Sequence, residues 1–211
     1  MMTISVSYES YLGTTSLSDY LSDWALGFAT AGHGTGGNNG GFSNGTFAGD
    51  QYASHGANNS DYAFIADSDT SNGLHYVFNP TLPASSNLNH YLWGELDNVE
   101  LGTGLTGGSG SDFDLSAYKV AFNGLDLSAA EGAGRVGNDV QSVIYGLIQG
   151  NTSALESALN ELLGAIDPSL STANTFDEIS AGLAAHAASS TTTDVALVGV
   201  QDVAQDWALA A

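Results

Sequence analysis

Apolar residues recur along this chain with two different periods. In "SLSDYLSDWALGF" (16–28), Leu17, Tyr20, Leu21, Trp24 and Phe28 fall at i, i+3, i+4, i+7 and i+11. That spacing predicts a helix with one apolar face, Ser16 as its N-cap and Asp19 near its positive end. "TISVSY" (3–8) alternates instead and predicts a strand. From 46 to 127 the pattern stays β-like. "TFAGDQYAS", "DYAFIAD", "LHYVF", "HYLWGELDNVEL" and "AYKVAFNGLDL" are short aromatic and β-branched runs divided by Gly, Asn, Asp and Ser clusters, a spacing that suggests an antiparallel meander.

From 138 the helical period returns. "NDVQSVIYGLIQG" sets Val140, Val143, Ile144, Leu147 and Ile148 on one face and stops at Gly150. "TSALESALNELLGAIDP" offers Ser153 and Glu156 as a capping box, then Leu155, Leu159, Leu162, Leu163 and Ile166, with Pro168 as terminator. "TFDEISAGLAAHA" repeats the box with Thr175 and Glu178. Strands in one block and helices in the next argue for an α+β fold: one curved antiparallel sheet with about four helices on one face. Residues 1–190 read as a single domain and 191–211 as a tail of different character.

Charge narrows the function. The chain has 23 Asp+Glu against two basic residues, Lys119 and Arg135, for a net charge of -21. Nucleic acid and anionic membrane surfaces need clustered cations and are not expected as partners. Such acidity favours a soluble monomer. With no cysteine, disulfides, zinc–thiolate sites and iron–sulfur clusters are excluded. "MMTISVSYES" has neither the basic nor the apolar region of a Sec signal, and no apolar run approaches the ~20 residues of a membrane span.

Motifs for familiar chemistries fail. There is no G-x-S-x-G elbow, and "GTGGNNGG" lacks the lysine of a phosphate loop. "GGSGSDFDL" (107–115) approaches the calcium-binding nonapeptide, but occurs once and has Asp114 where an apolar residue belongs. It leaves a calcium-binding secreted structural or adhesive module as the alternative reading. His55 and His186 read as solvated. His33 stands in a loop about half glycine (29–45), while His75, Tyr76 and His90 surround a proline-bearing segment. Adjacent strand residues face opposite ways, so His75 and Tyr76 do not readily share one metal. For Tyr76 the residues alone leave packing and metal ligation both open.

A family resemblance weighs on that choice. "ISVSY", "SDYLSDWALGF" with a histidine nine residues after Trp24, "GGF", "QYA", "LHY", "HYLWGELD", "VIYGLIQGN", "ALESALN", "STANTFDEISA" and the closing "ALAA" occur in this order. In these the chain resembles the HasA family of secreted bacterial haem-acquisition proteins, the hemophores, nearly end to end. The resemblance implies ferric haem b held between two loops. His33 and Tyr76 match the axial histidine and tyrosine. His90 matches the histidine that hydrogen-bonds the tyrosine oxygen. Tyr145, Phe78, Phe47 and Ile148 match contacts of the haem face, Ile148 at or beside a position where a methionine is expected.

It further implies a carrier rather than an enzyme, since two axial protein ligands leave no open iron position. A haem donor such as haemoglobin, an outer-membrane TonB-dependent receptor and a type I ABC exporter reading the C-terminal tail are the implied partners, and the location is extracellular. The chain departs from the pattern in two places. The loop after His33 is shorter, and "NPTLPASSNLN" lengthens the segment between Tyr76 and His90. Some family members bind with the tyrosine alone. With Lys119 and Arg135 as the whole basic complement, the haem propionates are expected near solvent, outside any basic clamp.

Overall fold

The computed structural model describes residues 4–28, 41–56, 60–108 and 110–189. An eight-stranded antiparallel sheet is its frame. The strands are β1 (Ser5–Ser7), β2 (Gly41–Phe42), β3 (Ala48–Gly49), β4 (Gln51–His55), β5 (Tyr62–Asp67), β6 (Leu74–Val77), β7 (Tyr91–Thr106) and β8 (Asp114–Ala129). Helices α1 (Leu17–Phe28), α2 (Asp139–Ile148) and α3 (Ser153–Ile166) are joined by α4, described over 176–189.

The helical faces are those the spacing predicts. α1 buries Leu17, Tyr20, Leu21, Trp24 and Phe28, and Ser16 Oγ accepts from the Asp19 N–H at 3.1 Å. α2 buries Val140, Val143, Ile144, Leu147 and Ile148, and with them Gln141. Every buried apolar residue of the four helices joins one cluster with Phe64, Ala66, Leu92, Leu96, Val99, Leu101, Val120 and Phe122. Ala63 and Ile65, one residue out of phase on β5, belong to a much smaller cluster with Ala53 and Leu115. The helices therefore cover one face of the sheet and leave the other thinly packed, the α+β arrangement expected.

Two local expectations are corrected. The capping box at α3 does not form, because the Glu156 carboxylate instead accepts from Thr172 Oγ at 2.9 Å and Ser153 is already the first helical residue. The box at α4 is complete, with Thr175 N–H donating to Glu178 at 2.9 Å and Glu178 N–H to Thr175 Oγ at 3.2 Å. His186, expected as a solvated residue in a polar stretch after a helix, lies inside α4.

The sheet is also not a simple meander. Its order is β1-β8-β7-β5-β4-β2, with β6 outside that path on β7 and β3. β7 pairs with β8 along one edge, while its other edge is divided between β6, on Tyr91–Gly94, and β5, on Asn98–Thr103. Gly94 makes that division possible. It takes φ +118, and a Cβ there would lie 2.1 Å from the Gly73 carbonyl oxygen, which accepts from the Glu95 N–H at 3.1 Å. Gly94→Ala should push β6 off β7 and lower stability by about 2–4 kcal/mol, measured as a fall in the urea unfolding midpoint.

Candidate ligand-binding cleft

A cleft of about 660 Å³ opens where β6, the start of β7 and α2 meet. Strand alternation sends neighbouring side chains of β6 to opposite faces. His75 stacks on Trp93 with ring centroids 4.0 Å apart and planes 9° from parallel. Tyr76 turns the other way, into the cleft. Its hydroxyl lies 2.6 Å from His90 Nδ1. These two residues are 14 apart in sequence, and the pairing of Tyr76 with Leu92 brings them together.

His90 reaches that position at a local cost. Its φ is +55, a left-handed conformation disfavoured by about 1 kcal/mol for a residue with a Cβ. Asn89, buried beneath the loop, offsets it. Asn89 Oδ1 accepts from the N–H groups of His90 at 3.0 Å and Asn79 at 2.9 Å. Its Nδ2 donates to the carbonyls of Leu82 at 3.1 Å and Pro83 at 3.4 Å. One amide thus closes the segment 79–89 on itself and fixes the backbone at His90.

The next strand residue but one is clamped from the helix side. β8 does not extend far enough to pair Leu92. Gln141 Oε1 accepts the Leu92 N–H at 2.6 Å and Asn138 Nδ2 donates to the Leu92 carbonyl at 2.8 Å. Asn138 is also the N-cap of α2, its Oδ1 accepting from Gln141 N–H at 2.9 Å. Two helix side chains thus continue the hydrogen-bond ladder where the strand partner ends.

The cleft's surface is unusually apolar for its exposure. Phe47 is 52% exposed, Tyr145 48% and Phe78 50%. Phe47 stacks on Tyr76 at 6.1 Å and Phe78 leans on His90 at 5.0 Å. Aromatic surface left open at a cleft marks a ligand-binding site far more often than a packing defect. Burial raises the Tyr76 phenol above its ordinary pKa. It pushes a second cleft phenol, Tyr52, up to about 12, with the nearby Tyr76 adding to the shift. Only Tyr76 has an imidazole nitrogen at its oxygen within the described residues.

Of the residues singled out from sequence, Tyr76, His90, Phe47, Tyr145 and Ile148 line this one cleft, and Phe78 adjoins it through His90. His33 and the tail from 191 lie outside the described residues. Sequence reasoning missed Asn89, Asn138, Gln141 and the cleft position of Arg135. Gln141 carried a signal, a polar residue among the core positions of α2. At the end of "GGSGSDFDL", where β8 begins, the Asp114 carboxylate takes the Leu115 N–H and faces Lys119 Nζ. No group of three or more His, Asp or Glu able to hold a metal ion occurs among the described residues.

Over residues 2–211 the chain matches the family described as Heme-binding protein A (HasA). The hemophore HasA of Serratia marcescens is 39% identical over 187 residues, covering 87% of this chain and 93% of that protein. A holo structure of the hemophore HasA from Yersinia pestis superposes with a TM-score of 0.65 at 24% identity, over 83% of this chain and 95% of its own. A mutant of HasA from Yersinia pseudotuberculosis gives 0.64 at 26% identity, over 83% and 94%.

Asn89→Ala should cost about 2–3 kcal/mol, because it orphans three backbone groups at once, the N–H groups of Asn79 and His90 and the Leu82 carbonyl. It should also release His90, seen as loss of the Tyr76–His90 hydrogen-bonded proton by NMR.

Proposed function

Because the chain belongs to the HasA family of haem-binding proteins, we propose that it is an extracellular carrier which takes up ferric haem b through Tyr76 and hands it on for iron acquisition. The observation that carries this reading is the 2.6 Å contact between the Tyr76 hydroxyl and His90 Nδ1 inside an aromatic-rimmed cleft.

The chemistry follows from that contact. A phenol is a poor ligand at neutral pH, and burial makes Tyr76 poorer still. It must lose its proton to bind iron. His90 Nδ1 stands where it can accept that proton and then, as an N–H, donate back to the phenolate oxygen. An anionic oxygen ligand favours iron(III) over iron(II), so reduction should loosen the grip. Phe47 and Tyr145 supply apolar contact to the flat macrocycle. His33, in the glycine-rich loop, is the candidate for the second axial position. With His33 bound as well as Tyr76, iron would have no place for oxygen or peroxide, which suits transport rather than catalysis.

Capture from haemoglobin or another donor, delivery to an outer-membrane TonB-dependent receptor and export by a type I ABC exporter belong to the same proposal. Among the described residues no helix is long and apolar enough to cross a membrane, compatible with a secreted carrier.

Titration of the purified protein with hemin should give a stoichiometric Soret band. Tyr76→Phe should weaken uptake at least about tenfold, the loss of an ionic ligand bond. His90→Ala should keep uptake but shift the band and make it pH-dependent, as the unassisted phenolate competes with protons. Undiminished, spectrally identical uptake by Tyr76→Phe would overturn the ligand assignment.

A further inference from the structure

We infer that Arg135 is the anion-recognising group of the cleft and that it receives one carboxylate of the porphyrin's propionate side chains; this rests on the carrier reading above. The chain has only two cationic side chains. Lys119 Nζ is already committed, 2.8 Å from Glu100 and 3.5 Å from Asp114. Arg135 lines the cleft with Tyr76 and His90. No carboxylate among the described residues comes within ion-pairing distance of it. In a protein of net charge -21, a guanidinium without an acidic partner among the described residues keeps its charge for a ligand.

The guanidinium is also preset. Its Nη2 donates to the carbonyls of Ser86 at 2.7 Å and Ala84 at 3.4 Å. The Arg135 and Val136 N–H groups both donate to Asn87 Oδ1 at 2.9 Å. The segment that sets His90 therefore also braces Arg135. Guanidinium has five N–H donors in a rigid fork, and among the described residues only Nη2 is engaged, so Nε and Nη1 remain for a planar carboxylate. Carbonyl partners orient the group without neutralising it. Haem carries two carboxylates into a repelling field, and Arg135 gives one of them a local counter-charge. The other is left to solvent.

The test compares hemin with its dimethyl ester, which keeps iron and macrocycle and removes both negative charges. Dissociation constants for both are measured on the wild type, R135K and R135Q. The wild type should prefer the acid by about fivefold, a charge-assisted bond at a partly exposed site. R135K should retain most of the preference. R135Q should bind both forms alike, with the Soret band unmoved because the iron ligand is untouched. Equal preference for the acid in the wild type and R135Q overturns the Arg135 contact and leaves the carrier reading standing. A wild type that takes up hemin but does not distinguish the ester overturns it without any variant. A wild type with no uptake of hemin overturns both.

Discussion

The pairing of Tyr76 with Leu92 sets the geometry of everything near the cleft. A slip of one residue would turn Tyr76 to the face where His75 and Trp93 stack and leave His90 facing nothing. Three separate devices hold the register. Gly94 lets the backbone of β7 meet Gly73 where no side chain fits. Gln141 and Asn138 take both polar groups of Leu92 from the helix side. Tyr76 N–H donates to the Phe47 carbonyl at 2.7 Å, tying the far edge of β6. A phenol and an imidazole meet at 2.6 Å because the backbone around them has little freedom.

This arrangement separates support from chemistry. The large cluster beneath the sheet is ordinary helix-on-sheet packing and would serve many functions. The cleft is built from what that packing leaves over: a strand end, a strained histidine, a long loop and the first turn of α2. Asn89 and Asn138 are small buried amides, yet each satisfies several backbone groups that no ladder reaches. Their removal would damage the site before it damaged the core.

The helices were legible in the sequence because their apolar faces repeat within a few residues. Leu17 through Phe28 and Val140 through Ile148 needed no tertiary knowledge. The failed cap at Ser153 shows the limit of local rules, since Thr172, distant in sequence, outcompeted the local backbone for the Glu156 carboxylate. Strand order was harder for the same reason. Nothing near residue 94 says that β6 and β5 must share one edge of β7. Tyr76 and His90 were identified through motif resemblance, and their spacing alone could not bring them into contact. Arg135 was visible as one of two cations but not as a cleft residue, because Asn87, about fifty residues away, is what holds it there.

The exposed rings of Phe47, Phe78 and Tyr145 would normally invite two copies of a protein to stick together. A net charge of -21 makes each molecule push others away across roughly 10 Å of dilute salt solution. Mutual repulsion thus acts at a range longer than greasy contact does. Such repulsion disfavours contact between two identical clefts and leaves the exposed rings to water.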